Sequence, residues 1–152
     1  MNSESISYNS DKATNEDIYQ HLILCQHQFV PPLSMVVDIQ DYSKKLREHA
    51  STVEAWDEDK LVGLIAVYCN DYDQKNAFIT NVSVLPEYMR KGIAINLMNA
   101  TIAFVQSSKD FDSIFLEVNK NNSKAIMLYK KCNFETINLF KDIMKMKLIL
   151  KT

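Results

Sequence analysis

The sequence predicts an α/β (α+β) fold: a mixed, mostly antiparallel sheet of about six to seven strands flanked by about four helices. Two observations carry that expectation. The periodicity of apolar residues orders the elements as strand, two helices, three strands, helix, strand, helix and two strands. A doubly wound parallel sheet would instead alternate strand and helix throughout. The run Thr52–Trp56, the polar turn Asp57-Glu58-Asp59-Lys60 and the run Leu61–Cys69 also read as a hairpin, so part of the sheet is antiparallel.

Each element has a local cause. Ser3–Asn9 alternates weakly through Ile6 and Tyr8 and is read as a short first strand. Asp11 and Thr14 are candidate caps of a helix through about Phe29, with Ile18, Leu22, Cys25 and Phe29 on one stripe. Pro31 and Pro32 break the helix, since each removes a donor and restricts the residue before it. A second helix starts near Asp38 or Asp41 and ends by Ala50, with Tyr42, Leu46 and His49 on one face. After the hairpin, Asn70–Lys75 is a polar loop and Asn76–Leu85 a strand that Pro86 ends. Ile93, Leu97, Ala100, Thr101, Phe104 and Val105 recur at helical spacing. Ile114, Leu116 and Val118 alternate within the strand Ser113–Asn119. Asn121, Asn122 and Ser123 then cap a short helix whose face is Ala125, Ile126, Leu128 and Tyr129, and Asn133 suits its left-handed end. Phe134–Asn138 and Ile143–Leu150 close the chain as strands.

Composition bounds the function. With 152 residues, 47% apolar and 24% charged, the chain reads as one globular domain, 1–152, able to bury a core. A net charge of −2 lacks the basic face that nucleic acid requires. Cys25, Cys69 and Cys132 form neither a zinc pattern nor a disulfide framework, so no metal and a reducing, cytoplasmic setting are expected. No leader pattern and no membrane-spanning apolar run is present, so no membrane partner is expected.

The stretch from Phe78 to Val105 carries the chemistry. A strand ends at a proline, and a helix opens at Gly92 beside Arg90 and Lys91. A helix start presents free N–H groups and partial positive charge, which suits a phosphate. Neither G-x-x-x-x-G-K-[ST] nor G-x-G-x-x-G occurs, and the chain has two glycines in all, which argues against nucleoside triphosphates and dinucleotides. What the stretch resembles is motif A of the Gcn5-related N-acetyltransferases: Val84-Leu85-Pro86, then Met89-Arg90-Lys91-Gly92-Ile93-Ala94, with Met89 where Gln or Arg is usual. Asn122, Ala125, Leu128, Tyr129, Lys131 and Phe134 resemble motif B, with Asn133 replacing the usual glycine. The motif-bearing core covers about residues 52–138.

The resemblance implies splayed fourth and fifth strands with acetyl-CoA between them as co-substrate, and no metal. It implies coenzyme A contacts from Val82, Ser83, Val84, Met89, Arg90, Lys91, Gly92, Ile93, Ala94, Asn122 and Lys131. Tyr129 is implied as the acid for the leaving thiolate, since a phenol is protonated at neutral pH. Glu117, twelve residues earlier, resembles the glutamate base of ribosomal-protein N-terminal acetyltransferases, with a water chain as the alternative. Many relatives place a glutamate on the preceding strand, where this chain has Thr80 and Asn81, which join Phe29 and Pro32 as candidate substrate contacts. The same fold nominates Val30, Pro31, Leu33, Tyr72, Phe140 and His27 for the acceptor rim.

The expected activity is direct acetyl transfer to a primary amine of a small molecule such as an amino sugar or amino acid, by a monomer or homodimer. Two alternatives stay open: a protein N-terminal or lysine acetyltransferase, and a non-catalytic acyl-CoA-binding module.

Overall fold

A computed structural model describes residues 5–151. Seven strands form one sheet: β1 (Ile6–Ser10), β2 (Ser51–Asp57), β3 (Lys60–Asp71), β4 (Asn76–Val84), β5 (Ser113–Asn119), β6 (Glu135–Phe140) and β7 (Ile143–Ile149). Their order is β1-β2-β3-β4-β5-β7-β6. The β4–β5 pair is parallel, and every other pair is antiparallel. The four helices are α1 (Asn15–Cys25), α2 (Ile39–His49), α3 (Ile93–Ser108) and α4 (Ser123–Lys131). The predicted architecture and element order hold.

The caps are those the sequence offers. Thr14 and Asp17 form a reciprocal capping box at α1, and Asp38 and Asn122 cap α2 and α4. Boundaries move modestly. Helix α1 ends at Cys25 and continues as a 3-10 turn, Gln26–Gln28. Strand β3 runs on to Asp71 and β6 to Phe140. Residues 3 and 4 of the expected first strand lie outside the described residues. His49, expected on the inner face of α2, is exposed, and Ser43 takes the buried position instead.

Two cores sandwich the sheet. Helices α1 and α2 pack with Trp56, Leu61, Leu64 and Ala66 on one face. Helices α3 and α4 pack with Ile65, Val67, Ile79, Ile114, Leu116 and Val118 on the other. Gly63 lets α3 close on the sheet, because a Cβ there would lie 2.8 Å from Leu97 Cδ1 and 3.1 Å from Ile93 Cγ2.

Polar links bolt the first face down. The Glu54 carboxylate on β2, 0% exposed, accepts from the backbone N–H groups of Lys12 and Ala13, from the Thr52 hydroxyl at 2.6 Å and from Trp56 Nε1 at 2.9 Å. Arg47 on α2 lies 3.9 Å from it and also donates to Ala13 O and Asp11. One buried carboxylate thus ties the entry of α1 and the end of α2 to the same strand. His21 on α1 is the second link, with Nδ1 3.2 Å from Leu61 O and Nε2 2.9 Å from Ser83 Oγ. Because a carbonyl can only accept, Nδ1 carries the proton of a neutral ring. Burial pushes this imidazole down to about 4.

Both links make predictions. Glu54→Gln keeps the shape but turns an amide donor toward donors and removes the charge facing Arg47, so urea unfolding should show a loss of roughly 3–5 kcal/mol. A loss below about 1 kcal/mol would mean that the carboxylate does not bear this load. His21 binds a proton in the unfolded chain below about pH 6.5 and in the folded protein only near pH 4. Stability should therefore fall as pH drops through that window, by on the order of 3 kcal/mol from this group. His21→Gln should flatten the decline relative to the unsubstituted protein; an unchanged slope would rule out His21 as its source.

Candidate active site

The site begins with one extra residue. Across β3 and β4, Val67 faces Ile79 and Ala66 faces Asn81, which leaves Thr80 as a bulge. Parallel pairing of β4 with β5 runs from Asn76↔Ser113 to Ile79↔Leu116 and stops there. Beyond that point β4 continues to Val84, while Glu117, Val118 and Asn119 of β5 pair only with β7. The sheet therefore has a gap between its fourth and fifth strands, where the resemblance implied one.

The gap exposes specific backbone groups. Leu85 N–H donates to Val62 O, so by strand alternation Ser83 also points its N–H at β3. Val82 and Val84 then point theirs into the gap. Of these three residues, expected as coenzyme A contacts, Ser83 does not offer its backbone N–H; its side chain instead serves the His21 link.

Both helices of the first face reach this irregular stretch. Tyr42 on α2 donates to Thr80 O at 3.0 Å, holding the bulge from the side. Gln28, at the end of α1, places its amide against Val84: Nε2 donates to Val84 O, and Oε1 accepts from Val84 N–H at 3.4 Å. Phe29 packs against both cores, which puts it at the end of the sheet where they meet. Asn81 is buried, and its Oδ1 accepts from Ser83 Oγ at 2.9 Å. Its Nδ2 is the buried side-chain donor left without a partner among the described residues.

At the next turn, Arg90 (φ 63°) and Gly92 (φ 81°) both take left-handed backbone, and α3 begins without a side-chain cap. The early N–H groups of α3 are thus left for an anion. Arg90 and Lys91 are exposed and form no ion pair among the described residues. Gly92 has open space on its Cβ side. Met89 is half-buried against the core, a packing role rather than a polar one. Ile93 is buried and Ala94 half-buried at the opening turn.

Helix α4 contributes from the far side of the gap. Asn122 uses its side-chain oxygen to cap Ala125 N–H, leaving its NH2 to donate outward. Lys131, at the other end of α4, is exposed about 13 Å further along the axis and suits the negative end of the helix dipole. Among the described residues no ion pair ties it to the gap. Tyr129 is 8% exposed, packs 6.1 Å from the Phe134 ring, and has no hydrogen-bond partner for its hydroxyl among the described residues. Burial raises its phenol. Glu117 is exposed and points to the opposite face of the sheet from Tyr129, beside Lys145 across the β5–β7 ladder.

The rim divides. Val30 is 43% exposed and Phe140 69%, and Phe140 ends β6 at the Asn119 end of β5, where the gap opens. Pro32 is half-buried, and Leu33 is buried in the α1–α2 core. Tyr72 packs tilted against Phe111, with ring centroids 5.3 Å apart, at the β3–β4 turn and so at the opposite end of β4 from the gap, away from the acceptor rim. His27 is exposed, whereas His21 and Gln28 make hydrogen bonds to β4.

One pairing invites a nucleophile reading and fails it. Cys25 Sγ lies 3.6 Å from His21 Nε2. Burial pushes the thiol up to about 12 and the imidazole down to about 4, so neither carries the charge of a thiolate–imidazolium pair. No group of three or more His, Cys, Asp or Glu that could hold a metal occurs among the described residues, and no helix there is long and apolar enough to cross a membrane.

Known proteins resemble this chain in sequence and in fold. An N-alpha-acetyltransferase of Saccharolobus solfataricus is 36% identical over 67 residues, covering 44% of this chain and 40% of that protein. N-alpha-acetyltransferase 50 of Danio rerio is 33% identical over 94 residues, covering 60% of this chain and 55% of that one. The chain thus spans about half the length of the relatives it matches. The fold is that of the PaiA N-acetyltransferase of Thermoplasma acidophilum solved with coenzyme A, with a TM-score of 0.71 and 16% identity over 94% of this chain and 99% of that one. A family model described as the acetyltransferase (GNAT) family matches residues 15–134. The chain belongs to that family.

Proposed function

We propose that the protein is an acetyl-CoA-dependent N-acetyltransferase whose acceptor is the α-amine of a polypeptide. The observation that carries the transfer reading is the gap: two outward backbone N–H positions on β4, next to an uncapped, basic-flanked helix start. That spacing suits a ligand with amides at one end and a pyrophosphate at the other, as coenzyme A has. The neighbour solved with coenzyme A supports the same ligand.

The acceptor reading rests on the relatives and on the rim. Both relatives are named for N-alpha acetylation. The linker after α1 and the β6–β7 turn stand open, with Val30, Met35, Val36 and Phe140 exposed, which suits an extended chain better than a closed pocket. The small-molecule amine expected from sequence shares the chemistry but has no comparable support from the rim.

This chain's residues divide the work by face. Acetyl-CoA supplies an activated thioester carbonyl. Val82 N–H is placed to stabilise the oxygen as the amine nitrogen bonds to that carbon and the carbon–sulfur bond breaks. Tyr129 donates its hydroxyl proton toward the departing sulfur from the α3/α4 face. Glu117, on the other face, takes the proton that the amine loses, directly or through water. An α-amine has a pKa of about 8, so an exposed carboxylate suffices. Cys25 is uncharged and buried, which supports direct transfer without an acyl-cysteine.

Release of free thiol from acetyl-CoA in the presence of short peptides with free N-termini tests the reading. Blocking those N-termini should abolish release, and release with amino sugars or polyamines but not peptides would replace the acceptor class. Tyr129→Phe should lower kcat about a hundredfold or more while acetyl-CoA affinity stays within about threefold. An unchanged kcat would remove Tyr129 as the acid. Glu117→Gln should lose rate at pH 7 and recover much of it at pH 9, where the amine is already neutral. An equal loss at both values would exclude Glu117 as the base.

A further inference from the structure

Gln28 occupies a position that the proposed donor needs. Val84 is the last residue of β4, and its N–H and C=O face the gap rather than β3. In an unbroken sheet a strand partner would take both groups. Here one side-chain amide does, with Gln28 Nε2 on the carbonyl and Oε1 on the N–H. A primary amide is the side chain that can copy a peptide group in this way, giving and taking one hydrogen bond in a single plane. The residue comes from 56 positions away and sits half-buried on the single 3-10 turn that ends α1.

We propose that Gln28 is a built-in substitute for the amide of the acyl donor: it pairs with Val84 in the empty site and must swing out when coenzyme A binds. This rests on the donor reading above. The N–H of Val84 has one proton and cannot serve both Gln28 and an amide of the pantetheine arm laid along β4. The two arms of the contact are unequal. Gln28 Nε2 lies 2.5 Å from Val84 O, the Val84 N–H that the donor needs is held only at 3.4 Å, and the Gln28 side chain hangs from a turn rather than from the body of a helix. Gln28 thereby keeps two polar groups of a central strand satisfied until a ligand with the same pattern replaces it. The displaced contact lowers affinity for coenzyme A by the factor that it stabilises the empty site.

Calorimetric titration of the full chain with coenzyme A tests this, using Gln28→Met, which keeps the length and loses both hydrogen bonds, and Gln28→Ala. Each should bind coenzyme A about three- to tenfold more tightly than the unsubstituted protein, while the melting temperature without ligand falls. Those opposite signs are the signature of a competitor. A purely structural Gln28 would lower affinity and melting temperature together, and that result overturns the proposal. Equal affinity in all three proteins overturns it too and leaves the donor reading standing. No binding by any of the three removes both. In the unsubstituted protein, the Gln28 side-chain NH2 signals should move to solvent-exchanging positions as coenzyme A is added; a fixed, protected NH2 in the saturated protein also overturns displacement.

Discussion

One inserted residue governs this molecule. Before Thr80, β4 has a hydrogen-bonded neighbour on both sides; after it, β4 keeps β3 and loses β5. A central strand with an open edge is costly, since a buried N–H or C=O without a partner forfeits on the order of 1–3 kcal/mol. The fold answers from the α1–α2 face. Tyr42 takes the carbonyl of the bulge, and Gln28 takes both groups of Val84. Among the described residues, the backbone of Val82 still faces the gap, together with the start of α3 one short turn further on. The irregularity that weakens the sheet is thus the same feature that makes a ligand site of it.

Those side chains hold β4 only if their helices stay put, and here the two polar links differ in kind. Glu54 is a full charge out of water, stabilised by four donors and a nearby guanidinium. His21 is a neutral ring whose Nδ1–H meets one carbonyl and whose Nε2 lies beside the Ser83 hydroxyl. The first tolerates no loss of partners, because a buried carboxylate cannot be left unpaired. The second fails only when acid forces a proton onto it. Helix α1 is fixed at its entry by Glu54 and midway by His21, so the turn that carries Gln28 projects from an anchored base.

Much of this was legible in the sequence. Periodicity and caps located all eleven elements, and the two motifs marked the start of α3 and the helix bearing Tyr129. The bulge left a readable trace that period-two counting passed over. The residues of β4 facing α3 are Ala77 and Ile79, then Val82 and Val84, so the apolar beat slips by one between Ile79 and Val82. Burial of His21 was legible too, since it lies three residues after Ile18 on the stripe that includes Leu22 and Cys25. Gln28 and Tyr42 were not. Each acts across 38 to 56 residues of chain on a backbone group, and no local pattern encodes which carbonyl a distant amide or phenol will meet. Tyr72 misled because an exposed aromatic in a loop looks the same in sequence at either end of a sheet.

The two faces also decide how protons can move under the proposed transfer. Tyr129 lies in the drier half, where burial raises its phenol. A buried tyrosinate is accordingly too costly to stand alone, so donation to the sulfur and recovery of a proton must be coupled. Glu117 lies in the wet half, exposed and near Lys145. Under that proposal an amine that enters from the α1–α2 face sheds its proton on that side, while the thiol forms on the Tyr129 side, and the sheet between them keeps the two proton movements apart.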